Sequence, residues 1–260
     1  MIDTSLLLNT LLHMLPVLYA VVFFDYVLVF FTEEPLIRRM ARPLLWIAVV
    51  VNLIYFLTYT VFFEHIPLAT VYQALGAVAF GLAITYLWVE SRTNSPYTAP
   101  FILGLSLVLQ IVHSEFPHFQ RGVPEILQSK LFSLHVVFIV LGYSALAVAA
   151  VYSVLYLLLY RQMRNKTFGL VFRRMPPLET LDNMNFNALL VGFPFLLLAT
   201  LLGTLWQFDA RLVVSGVALV VYGGAIALRT LQGRRGSRLA YSSLAGFAIL
   251  LFLTGFHSFG

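Results

Sequence analysis

The chain has 260 residues, 60% of them hydrophobic and 10% charged, with no cysteine. Soluble domains lie nearer ~45–50% apolar and ~25% charged, so this composition excludes an ordinary soluble enzyme, a disordered tail and a nucleic-acid-binding domain. The formal charge of +5 then reports loop charge on one side of a membrane, and the lack of cysteine removes disulfides, thiolate metal sites, a cysteine nucleophile and a CxxCH haem attachment within the chain.

A bilayer core of ~30 Å takes ~20 apolar residues as helix. Stretches free of Asp, Glu, Lys and Arg run Thr4–Phe24, Pro43–Phe63, Ile66–Val89, Thr93–Val112, Leu131–Tyr160, Asn183–Phe208, Leu212–Leu228 and Leu239–Gly260. The first reads as continuing past Asp25 to about Phe31, and its first charge is Asp3, so it is a retained helix and not a cleaved signal peptide. The fourth is weakened by Pro96 and Pro100, and the seventh is short. The runs are continuous and not alternating, which predicts helices and not barrel strands. The expected fold is all-α: a polytopic membrane helix bundle of about eight transmembrane helices, forming a single integral membrane domain over residues 1–260. The longest connections are Ser114–Lys130 and Arg161–Asp182.

Lys and Arg in alternate loops set the orientation. One side takes thirteen of the sixteen basic residues; the other takes Arg121, Lys130 and Arg211. The rich side is expected to be cytoplasmic, with both termini outside, which agrees with an even number of spans.

With that orientation all six histidines fall in the outer half: His13, His65, His113, His118, His135 and His257. Imidazole ligates transition metals and carries protons. His135 and His257 each lie about one turn from the outer end of a span, the depth at which two facing helices could bind one haem iron from both faces. Interfacial packing explains a single such histidine equally well. His65, His113 and His118 read as loop residues explained by solvation, and His113-Glu115-His118 is a weak metal pattern. In the outer loop 205–211, Trp206 and Phe208 read either as an aromatic belt or, beside Asp209, as a shelf for a flat apolar macrocycle. Asp25 is the carboxylate well inside a span, a functional candidate by default; its alternative is a snorkelled or ion-paired role near Arg38 and Arg39.

Five segments in order, over roughly residues 60–260, resemble the cytochrome c assembly family of haem-handling membrane proteins, which includes CcsA, CcmC and HemX. They are Glu64-His65-Ile66-Pro67-Leu68 with Tyr72-Gln73; Leu134-His135-Val136 with Leu141-Gly142-Tyr143; Leu181-Asp182-Asn183 with Gly192-Phe193-Pro194; Gly203 to Arg211, a reduced tryptophan-rich motif; and Gly255-Phe256-His257-Ser258. The size and eight-helix plan look more like the small HemX-type branch. The resemblance implies haem (b-type, non-covalent) with its iron held axially by His135 and His257, over Trp206 and Phe208, with Asp209 ending the motif. It implies a haem-delivery component and not a complete cytochrome c synthase. The motif is short, Gln73 stands where the family has an acid, and Ala227-Leu228-Arg229 stands where the family often has a further histidine.

The first functional reading is therefore a haem-binding component of cytochrome c maturation with its site on the periplasmic side of a bacterial inner membrane. Its partners would be the lipid bilayer, a membrane protein of the same process and an apocytochrome c, with no nucleic acid. The second is a HemX-like regulator or scaffold of haem biosynthesis acting through the basic segment Arg161–Asp182. The third is a transporter-like or structural subunit that has lost the haem site.

Overall fold

The computed structural model describes residues 4–32, 34–116, 129–166, 169–205, 210–233 and 236–255. Among them the helices are α1 (Thr4–Thr32), α2 (Pro35–Phe63), α3 (Val71–Thr93), α4 (Ala99–Glu115), α5 (Lys130–Arg164), the short α6 (Leu170–Arg174), α7 (Leu178–Gly203), α8 (Ala210–Gln232) and α9 (Ser237–Gly255). Each of the eight expected spans corresponds to one long helix. Six are long and apolar enough to cross a membrane, whereas Ala99–Glu115 and Ser237–Phe252 are apolar but shorter. The chain is an all-helical, multi-pass membrane protein.

Helix ends depart from the charge-free runs for physical reasons. α1 passes Asp25 and ends at Thr32. α2 starts at Pro35, eight residues before its apolar run, because proline suits a first helical turn. Arg38, Arg39 and Arg42 thus lie within the helix. α3 starts late, at Val71, because Thr70 and Gln73 build a capping box: the Gln73 amide donates to Thr70 Oγ1 (3.2 Å), and the Thr70 amide donates to Gln73 Oε1 (3.3 Å).

Contacts group the chain into two compact units, Met1–Trp88 with Pro96–Val140, and Val89–Ser95 with Leu141–Gly260. In the first unit, α1 packs along α2 and α4. Its buried residues Leu8, Leu12, Leu15, Tyr19, Val22, Tyr26 and Val29 recur alternately four and three apart. Ala41, Leu45, Ala48, Asn52, Tyr55 and Tyr59 do the same on α2. A 3.5-residue repeat is the seam of left-handed helix packing. On the outward side of α1, Val17, Val21, Phe24 and Leu28 are exposed, as lipid contact requires.

In the second unit, α7 packs against α8 and α9. Small residues set the close approaches. A Cβ on Gly192 would lie 2.7 Å from Leu146 Cγ, and one on Gly142 would lie 3.0 Å from the Leu196 backbone nitrogen. Gly246 likewise gives room to the Tyr222 ring, whose Cζ would be 2.6 Å from a Cβ there. Such close backbone contact is how helices associate where lipid supplies no hydrophobic drive.

Candidate functional site

Of the residues expected to hold haem, His135 is described. It occupies the second turn of α5 and is half-buried, with the Phe132 ring centroid 6.1 Å from its own. Trp206, Phe208 and Asp209 lie outside the described residues, which leave out 206–209, between Leu205 and the start of α8 at Ala210. His257 lies outside them too, two residues beyond Gly255, where α9 ends. Leu205, two residues after the end of α7, is 65% exposed.

The donor chemistry can be tested on what is described. No group of three His, Cys, Asp or Glu comes together among the described residues, so they build no multidentate ion site. An imidazole at a half-exposed helix start, beside an aromatic ring, fits a metal that brings its own equatorial ligands, as haem iron does.

Two histidines expected in solvent are buried: His65 is 4% and His113 is 3% exposed. His65 Nδ1 bonds the Ile66 carbonyl at 2.9 Å, and its ring meets Tyr59 edge-on. His113 falls in the last turn of α4 and not in a loop. Its Nδ1 donates to the Tyr72 carbonyl at 2.9 Å, its ring stands edge-on to Tyr55, and its Nε2 is buried without a hydrogen-bond partner. Gly76 makes the room, since a Cβ there would lie 2.5 Å from His113 Cδ2. Glu115, two residues on, is exposed, and His118 lies outside the described residues, so a metal site at 113–118 has no support among them.

Sequence reasoning missed the polar core that continues from His113. Asn52 donates to Tyr19 Oη at 2.8 Å and lies 3.5 Å from Gln110 Oε1. Ser114 donates to the Leu12 carbonyl at 2.9 Å. Gln73, besides capping α3, donates to Tyr59 Oη at 2.8 Å. The signal was available: Asn52 and Gln110 are amides within otherwise apolar spans. Their number and mutual approach were not.

A second polar cluster closes one end of the other unit. Arg229, placed among loop cations by charge counting, is 8% exposed. Its Nη1 is 2.9 Å from Asp182 Oδ2 and donates to the Asp182 carbonyl at 2.7 Å, while Nη2 donates to Asn183 Oδ1 at 2.6 Å. The guanidinium lies 4.1 Å from the Phe186 ring centre. The Gly236 amide, in a left-handed turn at φ 88°, donates to Asp182 Oδ1 at 2.9 Å. The position at which the resemblance leads one to expect a histidine is thus filled by a guanidinium with charge and donors matched, and offers no metal ligand.

Asp25 makes no ion pair with Arg38 among the described residues. The Arg38 guanidinium instead lies 5.8 Å from the Tyr97 ring centre. Asp25 Oδ2 is buried with no hydrogen-bond partner.

Comparison with known proteins fits this architecture. The chain is 29% identical to Protein HemX of Bacillus subtilis (strain 168) over 251 residues, covering 90% of this chain and 89% of that one. It is 26% identical to Protein HemX of Brevibacillus brevis, with 79% of each covered. It is 25% identical to the cytochrome c biogenesis protein CcsA of Guillardia theta, over 75% of this chain and 77% of that one. A family model described as cytochrome C assembly protein matches residues 6–258. With its apolar helices covered almost end to end by that match, the chain belongs to the cytochrome c assembly protein family.

Proposed function

We propose that this protein binds haem at its outer face as a delivery component of cytochrome c maturation, in a bacterial inner membrane with both termini periplasmic. The observation that carries the reading is the family match over residues 6–258, joined to a half-buried imidazole, His135, at the start of α5. His135 and His257 would hold the iron axially, Trp206 and Phe208 would lie against the macrocycle, and Asp209 would close the segment. Bound haem supplies the iron and the vinyl groups that a cytochrome's cysteines attack. The chain's residues supply ligation, orientation and exclusion of water. The membrane partner and the apocytochrome c are part of the same proposal, as is the bundle acting as one integral domain.

The test is an absorption spectrum of the purified protein, oxidised and then reduced, beside the His135→Ala/His257→Ala double variant. A low-spin reduced spectrum absent from the variant is expected. A protein that stays haem-free after haem is supplied, or a spectrum unchanged in the variant, rejects the site.

A second reading rests on Arg161, Arg164, Lys166 and Arg173, all exposed around the short α6. This face could dock a cytoplasmic enzyme of haem biosynthesis, making the chain a regulator or scaffold. Charge reversal there would then abolish function while His135→Ala would not.

A further inference from the structure

We propose that the segment from the end of α5 through α6 binds anionic phospholipid headgroups, through Arg161, Arg164, Lys166 and Arg173. The inference stands apart from the haem reading and rests on the second unit alone. Between residues 161 and 178 the chain carries five basic residues and no acidic one. The helix that leads into them is long. α5 has 35 residues, about 52 Å at 1.5 Å per residue, against a ~30 Å hydrocarbon core. Tilted by ~40°, the top of the usual range, it still spans about 40 Å and reaches past the hydrocarbon.

The exposed side of α5 marks where it does so. Val154 and Leu158 are exposed, and the next position on their stripe is Arg161. From Tyr160 to Lys166 every residue except Gln162 is exposed. An apolar stripe that turns cationic within one turn, beside a tyrosine, is the pattern of the headgroup level. Arg161 and Arg164 are neighbours on the helix surface. Their stems can lie along the apolar stripe while the guanidinium groups meet phosphate. Nothing within the chain neutralises this charge. Arg229 has Asp182, and Arg38 has the Tyr97 ring. Arg161, Arg164, Lys166 and Arg173 make no ion pair, side-chain hydrogen bond or ring contact among the described residues. Four exposed cations without an internal partner attract an external anion, and the lipid-facing stripe that runs into them makes that anion a headgroup. A soluble enzyme on the same face, the second reading above, would use the cations but not that continuity.

The absence of cysteine from the chain makes a clean test. A donor dye is placed on the full-length protein at Asn165→Cys, or at Leu205→Cys beyond the far end of α7. Each protein is reconstituted in phosphatidylcholine vesicles with a trace of acyl-labelled acceptor lipid, either phosphatidylglycerol or phosphatidylcholine. Energy transfer from position 165 should report about fivefold or greater local enrichment of phosphatidylglycerol, the effect of a single interfacial cation. Position 205 should show no comparable enrichment. Rising salt should weaken the enrichment at 165. Changing all four cations to glutamine should abolish it, whereas changing the three arginines to lysine should keep most of it. The salt titration on the unsubstituted cations carries the test if the glutamine variant does not fold. Equal transfer to both lipids, equal enrichment at 165 and 205, or enrichment that survives in a folded glutamine variant or at high salt overturns the proposal. Charge reversal that abolishes function, with no lipid preference at position 165, gives the face to a soluble partner and overturns it as well.

Discussion

At the scale of single residues, unit one is held by polar groups whose partners lie on other helices. His113 sits in a slot that only glycine leaves open at position 76, and the Tyr72 carbonyl and the Tyr55 ring keep it from retreating. Gly76→Ala should therefore cost about 1–3 kcal/mol, the usual range for overpacking, seen as a lower thermal midpoint in detergent. Adding His113→Ala should recover part of that loss, whereas strictly additive losses would mean that the two residues do not touch. Asn52→Leu removes the donor to Tyr19 Oη and should cost about 1–3 kcal/mol, because a buried hydroxyl loses its partner. Tyr19→Phe on top of it should then add little. Gln73 shows what an amide does at this position: its oxygen completes the capping box, and its nitrogen donates to Tyr59 Oη, which a carboxylate could serve only by accepting.

At the scale of helices, the Arg229–Asp182 pair binds α8 to α7, and the Gly236 amide brings in the turn before α9. Removing one member strands the other charge. Arg229→Met should cost about 3–5 kcal/mol, with Arg229→Met/Asp182→Leu much nearer to wild type. Arg229→Lys keeps the charge but loses the fork that reaches Asp182 and Asn183 together, so a clear loss is expected there too. The helices themselves were legible because length and lack of charge suffice to find a span. Which side of each helix faces inward was not, because in lipid both sides are apolar and hydrophobic periodicity falls silent. Leucine and valine stand on both sides of α1 and α2; what marks the seam is its tyrosines (Tyr19, Tyr26, Tyr55 and Tyr59), the small residues Ala41 and Ala48, and Asn52. The late start of α3 was readable in principle from Thr70-Val71-Tyr72-Gln73, since a capping box is a local signal.

At the scale of the molecule, the eight long helices and their order followed from composition, the short α6 did not, and the family followed from five short segments. The place of His135 near the start of α5 was legible from the apolar run that begins at Leu131. The burial of His113 was not, because it depends on Tyr72, Gly76 and Tyr55, which come from other helices, and that of His65 was not, because its ring turns back against Tyr59 and Phe63 of α2. Arg229 shows the corresponding limit of charge counting, since a cation can lie at a helix end for its partner and not for the membrane potential. The proposed orientation can be measured directly. A membrane-impermeant maleimide applied to intact cells should label Glu115→Cys, while Arg164→Cys should react only after lysis; the reverse pattern inverts the topology. The Arg229 pair also has a consequence in time. Its two members are 47 residues apart, and at about 5–20 residues per second the ribosome finishes Asp182 some seconds before Arg229 exists. For that interval the nascent chain holds a carboxylate near the start of α7 without its arginine. Chains truncated before residue 229 keep that carboxylate without its arginine, and pulse-chase in cells should show them cleared faster than the full-length chain.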